Sequence, residues 1–185
     1  IFIEVEQNTC NIKSSELSNL ITDNTKAVIA VSLFGQPCDL LELKKICKES
    51  NIKLIEDGAQ SFGAMHNGQK SCSIADISTT SFFPTKPLGC FGDGGAIFTN
   101  HEDLSEKIRM IVRHGQLKKY QHDVLGMNSR LDTIQATVLL EKLKILDDEI
   151  QKRNEIAEYY NKKLSDLTEV NLPKVYGCNI SAIAQ

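Results

Sequence analysis

The run Lys26–Leu33, KAVIAVSL, is a continuous apolar stretch rich in β-branched residues, the composition of a strand buried on both faces of a sheet. A turn follows at Phe34–Cys38, FGQPC. From Leu40 to about Ser50, Leu40, Leu43, Ile46 and Cys47 then fall on one helical face, with Asp39 placed to cap it. A second short strand, Lys53–Glu56, comes next. Strand, helix and strand in that order define a right-handed crossover between parallel neighbours. The chain is therefore expected to be an α/β domain with a mostly parallel sheet flanked by helices. Its ligand is expected outside the carboxyl ends of the strands.

That edge can be located in the sequence. Asn51–Ala59, NIKLIEDGA, ends its strand at Glu56, Asp57 and Gly58, so Asp57 and the nearby Gln60 fall where a ligand would sit. A further strand candidate, Ile77–Phe82, delivers Ser81 and then Lys86. The stretch Thr79–Ala96, TTSFFPTKPLGCFGDGGA, holds a single Lys in apolar, Gly-rich surroundings, with no acidic residue within four positions on either side. Withdrawal of Lys86 from water favours its neutral amine, and a neutral lysine forms Schiff bases. Taken alone, Lys86 reads more readily as a lysine on a solvated turn between two prolines. Gly89, Gly92, Gly94 and Gly95 do not form a dinucleotide-binding fingerprint. They read as a flexible loop that gives the lysine room to swing rather than as a phosphate cradle.

As a set, Asp57-x-x-Gln60, Ser81 and Lys86 resemble the DegT/DnrJ/EryC1/StrS sugar aminotransferases, pyridoxal phosphate enzymes of the aspartate aminotransferase fold, fold type I. The resemblance implies that Asp57 pairs with the pyridine nitrogen, Gln60 contacts the ring, Ser81 binds the phosphate and Lys86 holds the cofactor covalently. It covers nearly the whole chain and is densest from Leu33 to Ala136. The stretch Gly126–Arg130, GMNSR, matches one that crosses the subunit interface in the family. Asn128 is thereby assigned to the phosphate of the neighbouring subunit's cofactor, and a homodimer is implied. Ser129 stands where the family more often has an aromatic residue, so no stacking role carries over. Arg130 is open between meeting an anionic substrate and forming a structural ion pair. Family members are about twice this length. By that comparison residues 1–130 are part of the cofactor-binding large domain, the parent's N-terminal segment being absent. Residues 131–185 are then a long helix and the start of a small C-terminal domain.

The family's usual donor is glutamate, and its acceptor is a keto group on a nucleotide-linked sugar. SFFPTKPLGCFGDGGA and SRLDTIQA look most like the subgroup acting on UDP-linked 3-keto-2-acetamido uronic acids, precursors of surface polysaccharides such as lipopolysaccharide. Enzymes aminating 4-keto nucleotide-sugars share the same core. A pyridoxamine-phosphate-dependent sugar dehydratase and a non-catalytic regulator of the same fold are the competing classes. In the former a His replaces the Lys and the latter could lose the reactive amine, so Lys86 speaks against both.

Composition narrows the partners. A net charge of -3, with acidic and basic residues interspersed, argues against nucleic acid or an anionic membrane. No apolar run approaches the roughly 20 residues needed to span a bilayer, and a cytoplasmic protein is expected. The six cysteines form no C-x-x-C pair and read as small buried residues in a reducing compartment. The four histidines show no ligand spacing, so no metal is expected.

The remaining elements follow from periodicity. Ile1–Glu6 alternates like a half-buried strand, and Asn11–Ile21 reads as a short helix capped by Ser14 or Ser15. His66–Ser73, with Asn67-Gly68, suggests a hairpin tip, and Ala96–Thr99 a strand. His101–His114 predicts a helix with Leu104, Ile108, Ile111 and Val112 inward, and Gly115–Asn128 an irregular stretch. From Leu131 to Leu167 the pattern predicts one helix of about 37 residues, with Leu131, Ile134, Val138, Leu143, Leu146 and Ile150 on one face.

Overall fold

Four strands form the central sheet of the computed structural model, which describes residues 1–185. In chain order the first six strands are β1 (Ala27–Val31), β2 (Lys53–Asp57), β3 (Met65–His66), β4 (Gln69–Lys70), β5 (Ile77–Ser81) and β6 (Gly95–Phe98). The central sheet runs β1-β2-β5-β6. Its first three strands are parallel, and β6 returns antiparallel to β5. The expected α/β architecture with a mostly parallel sheet is the one observed. β3 and β4 form the short hairpin expected at Asn67-Gly68.

Helices α1 (Ser14–Leu20) and α2 (Leu40–Glu49) cover one face of this sheet. Leu17, Leu40, Leu43, Ile46 and Cys47 bury their side chains against Val28, Ala30 and Leu54. Each large aliphatic side chain so buried contributes on the order of 1.5–3 kcal/mol, which makes this contact the main anchor of the crossover unit. Asp39 caps α2 as expected, its Oδ1 accepting from the Glu42 N–H at 3.3 Å.

Several expectations change. Ile1–Glu6 is not a strand, because its only ladder contact is the single bridge between Val5 and Ile12, and Ile1 and Phe2 are fully exposed. α1 begins after Lys13, which makes no side-chain cap, so neither Ser14 nor Ser15 caps it. β1 is buried on one face only. It packs Val28 and Ala30 against α1 and α2 and leaves Ile29 and Val31 exposed. α3 (Glu102–Ile111) forms where expected, but Leu104, Ile108, Ile111 and Val112 are half-buried rather than enclosed. Within Gly115–Asn128 the chain makes a small hairpin, β7 (Gln116–Lys118) with β8 (Gln121–His122).

The largest correction concerns the long helix. It is two helices, α4 (Thr133–Leu143) and α5 (Leu146–Leu164), separated at Lys144–Ile145. Ile145 has φ −113° and ψ 1°, and the Lys144 and Ile145 N–H groups bond three residues back, to Glu141 and Lys142, tightening the last turn. No Gly or Pro causes the break. Across the break Leu139, Leu146 and Ile150 share one cluster with Phe82, Leu88 and Cys90. Leu131, Ile134 and Leu143, expected inward, are exposed instead.

The C-terminal residues fold back to make a second, three-stranded sheet with the β3–β4 hairpin. β9 (Asn179–Ile180) pairs with β3. The buried Gln36 amide donates to the Lys174 carbonyl at 2.8 Å and accepts from the Tyr176 N–H at 2.8 Å and from Asn179 Nδ2 at 3.1 Å. No helix is long and apolar enough to cross a membrane.

Candidate functional site

Parallel pairing puts the carboxyl ends of β1, β2 and β5 at one edge of the sheet. Asp57 ends β2 opposite Thr79, and Ser81 ends β5 two residues further on. Register partners share a face, and side chains alternate along a strand, so Asp57, Thr79 and Ser81 point to one side. Glu56, Ser78 and Thr80 point to the other, where all three are buried. Lys86 follows on the loop leaving β5, and Gln60 on the turn leaving β2.

Each of these side chains keeps bonding capacity in reserve. Asp57 Oδ1 accepts from the Ala59 N–H at 3.0 Å, which orients the carboxylate and leaves Oδ2 without a partner in the chain. Ser81 Oγ accepts from the Phe83 N–H at 3.2 Å, so its hydroxyl proton remains to be donated. Gln60 Oε1 accepts from the Phe34 N–H at 2.6 Å, and its amide NH2 is unused. Lys86 is half-buried, and none of the ion pairs includes it. A free carboxylate oxygen, a hydroxyl donor and an unpaired amine are the complement of a protonated ring nitrogen, a phosphate and an aldehyde. The donor set therefore fits pyridoxal phosphate.

The structure brings Asp57, Gln60, Ser81 and Lys86 to the same edge. Asn128 and Arg130 are on an exposed stretch tied to the end of α3 by the Arg113–Asn128 bridge and by the Ser129 N–H donating to the Val112 carbonyl at 3.1 Å. No hydrogen bond within the chain joins them to the other four.

The lysine loop is not slack, contrary to the sequence expectation. The Phe82 N–H bonds the Gly94 carbonyl at 2.8 Å and the Cys90 N–H bonds the Phe82 carbonyl at 2.8 Å. The buried Cys90 thiol donates toward the Phe82 and Gly92 carbonyls at 3.0 and 3.1 Å. Gly89 is required by close approach, since a Cβ there would stand 2.5 Å from the Pro84 carbonyl oxygen.

Glu56 is the functional-edge residue that sequence reasoning passed over. It is fully buried, yet no cation faces it. Its Oε1 accepts from Ser32 Oγ at 3.2 Å and Ser71 Oγ at 2.6 Å, and its Oε2 from the Cys72 N–H at 2.8 Å and Ser78 Oγ at 3.2 Å. This carboxylate ties the loop before β5 to β1, β2 and β5 directly behind Asp57. Burial, with Glu56 second, pushes the adjacent Cys72 thiol up to about 12. The available signal was the period of two: Leu54 and Glu56 share a strand face, so a buried Leu54 implies a buried Glu56. A cavity of about 320 Å³, lined by residues including Cys72, Phe98 and Asn100, contains none of these edge residues.

The model of the DegT/DnrJ/EryC1/StrS aminotransferase family matches residues 1–177. UDP-2-acetamido-2-deoxy-3-oxo-D-glucuronate aminotransferase from Pseudomonas aeruginosa is 45% identical over 185 residues, covering 100% of this chain and 51% of the relative. A DegT DnrJ EryC1 StrS aminotransferase from Brucella abortus superposes with a TM-score of 0.94 at 39% identity, over 100% of this chain and 51% of that one. DesV from S. venezuelae, solved in complex with a ketimine intermediate, does so with a TM-score of 0.95 at 32% identity, over 100% and 50%. The chain thus spans about half the length of the curated relatives it matches.

Proposed function

The chain belongs to the DegT/DnrJ/EryC1/StrS aminotransferase family, whose cofactor is pyridoxal 5'-phosphate, and we propose that the protein transfers an amino group from glutamate to a keto nucleotide-sugar. The acceptor in this reading is a UDP-linked 3-keto-2-acetamido uronic acid. The observation that carries it is the 45% identity, along the whole chain, to a relative named for that chemistry. The reserve of bonding capacity at Asp57, Ser81 and Lys86 supports it.

Bound at this edge, pyridoxal phosphate supplies an aldehyde that captures amines and a ring that draws electrons from the carbon being deprotonated. Lys86 contributes the amine that holds the group. Once the amino donor displaces it, Lys86 Nζ takes a proton from one carbon and returns it to another. Asp57 Oδ2 would accept from the ring N–H, and the negative carboxylate would keep that proton in place. Ser81 would donate its hydroxyl proton to the phosphate, and Gln60 would contact the ring. The turn at Ala59–Gln60 is held by the Asp57 and Phe34 bonds, so these groups are oriented before anything binds.

The same proposal includes a cytoplasmic homodimer serving surface-polysaccharide synthesis. Asn128 then serves the phosphate bound in the neighbouring subunit, and Arg130 is free to meet an anionic substrate. Residues 1–130 form the cofactor-binding part, and residues 131–185 lead toward a smaller domain. The exposure of Phe91, Leu125 and Ile134 near these segments gives a subunit partner apolar surface to cover. The test is to supply the full-length protein with pyridoxal phosphate, glutamate and the UDP-linked 3-keto sugar and weigh the product by mass spectrometry. Amination that disappears in Lys86→Ala is expected. Amination that survives Lys86→Ala, or that occurs only with a 4-keto sugar, overturns the reading.

A further inference from the structure

The bonds inside the Phe82–Gly94 loop make it a compact unit joined to the sheet at its two ends, where Phe82 follows β5 and Gly94 precedes β6. Helix α4 holds its middle. Gln135 Oε1 accepts from the Phe91 N–H at 2.8 Å. Lys142 Nζ donates to the Gly89 carbonyl at 2.7 Å, and its ammonium lies 5.4 Å from the centre of the Phe91 ring. Gln135 and Lys142 are seven positions apart, two turns of helix, and so lie on one face. They grip the backbone on either side of Cys90, whose own bonds close the loop. Gly92 packs against the Gln135 amide, where a Cβ would stand 3.0 Å from Nε2. Lys142 makes no ion pair, so its charge is spent on a backbone carbonyl, and a charge-assisted bond of this kind is about twice as strong as a neutral one.

We propose that Gln135 and Lys142 are positioning residues for Lys86, acting through the Gly89–Phe91 backbone. The proposal rests on the reading of Lys86 as the residue that holds the cofactor. Lys86 stands three residues before Gly89, and the Lys86 N–H bonds back to Phe83 within the same unit, so moving the grip moves the lysine with it. Neither α4 residue touches the reacting atoms. Their effect is on where the Lys86 amine stands relative to Asp57 and Ser81, and displacements of about 1 Å at such a centre cost rates up to about 100-fold.

The experiment follows attachment rather than turnover. Full-length apoprotein is mixed with pyridoxal phosphate, and samples are quenched with borohydride. The Lys86 amine condenses with the aldehyde and releases water, and hydride from borohydride plus a solvent proton fix the new C–N bond for peptide mapping. Lys142→Met keeps an unbranched stem one atom shorter and loses the donor, and Gln135→Met loses the acceptor. Each is expected to slow labelling of Lys86 by about 10-fold or more. Lys142→Arg restores a donor and Gln135→Glu keeps an accepting oxygen, and both are expected to label at rates near that of the unsubstituted protein. Hydrogen exchange at the Phe91 amide, measured without cofactor, is expected to speed up in Gln135→Met and to remain slow in Gln135→Glu. Unchanged labelling in both Met variants overturns the proposal. Arg and Glu variants as slow as the Met variants also overturn it, because a general loss of helix packing then explains the effect. If the unsubstituted protein carries no label on Lys86, the reading of Lys86 falls and takes this proposal with it.

Discussion

Replacing Glu56 tests whether a buried carboxylate, rather than strand pairing alone, holds the functional edge together. Every buried side-chain polar atom has a partner, and Glu56 alone satisfies four donors, so its removal leaves a set of unmatched groups. In Glu56→Ala the three Ser hydroxyls can rotate toward new acceptors, but the Cys72 N–H is fixed. That single unmatched N–H costs about 1–3 kcal/mol, and the lost charge-assisted bonds and the cavity bring the total to about 3–5 kcal/mol. Glu56→Gln keeps the volume. Its remaining oxygen can serve Cys72 and Ser78 while its NH2 donates to the Ser32 and Ser71 oxygens, which accept as readily as they donate. The expected cost is about 1–2 kcal/mol. For a unit of this size, at about 2–4 °C per kcal/mol, Ala lowers Tm by roughly 6–20 °C and Gln by roughly 2–8 °C. Thermal unfolding by circular dichroism reads both. An Ala variant costing under about 1 kcal/mol, or a Gln variant as damaging as Ala, would refute the reasoning.

Three further outcomes follow from local chemistry. Burial pushes the Cys38 and Cys72 thiols up to about 12 and Cys47 up to about 11, and Cys90 is fully enclosed, while Cys10 and Cys178 are exposed. Iodoacetamide at neutral pH is therefore expected to alkylate Cys10 and Cys178 in the native protein and all six cysteines after denaturation, as read by peptide mass; fast native modification of Cys72 would contradict this. Burial acts to raise the Asp76 carboxyl, but the Leu54 N–H, Lys53, His101 and Lys44 together hold it below its ordinary 3.8. A folded pKa below the unfolded one adds stability that is complete above 3.8 and is lost as pH falls through the lower folded value. Asp76→Asn is expected to flatten the acid limb of a urea-stability profile in that window, and an unchanged limb counts against it. Gly89→Ala forces a Cβ toward the Pro84 and Phe83 carbonyls and is expected to cost about 1–3 kcal/mol, read as a lower urea midpoint; an unchanged midpoint means the turn can open without strain.

The crossover unit was readable because its signals agree: β-branched strand residues, the helical spacing of Leu40, Leu43, Ile46 and Cys47, and the Asp39 cap. The places of Asp57, Gln60, Ser81 and Lys86 at one sheet edge were readable because they follow strand ends, while their roles came only from the family resemblance. Tertiary features were not readable. Leu131–Leu167 carries no breaker, so the break at Lys144–Ile145 leaves no mark in the residue types. The glycines after Lys86 read as freedom, whereas the structure uses them for close approach to Gln135 and to the Pro84 carbonyl. The β1 composition suggested two covered faces, and helices α1 and α2 cover only one of them. Gln135 and Lys142 look like ordinary helix residues until the loop they hold is beside them.

The central claim is that the edge formed by Asp57, Ser81 and Lys86 holds pyridoxal phosphate and exchanges amino groups through it. The most direct measurement is the visible absorption spectrum of the full-length protein with pyridoxal phosphate, recorded before and after glutamate and again after the UDP-linked 3-keto sugar. A band that requires Lys86, disappears with glutamate and returns with the keto sugar is the predicted result. A spectrum identical to that of free pyridoxal phosphate, or a protein-bound band indifferent to glutamate, would contradict the account.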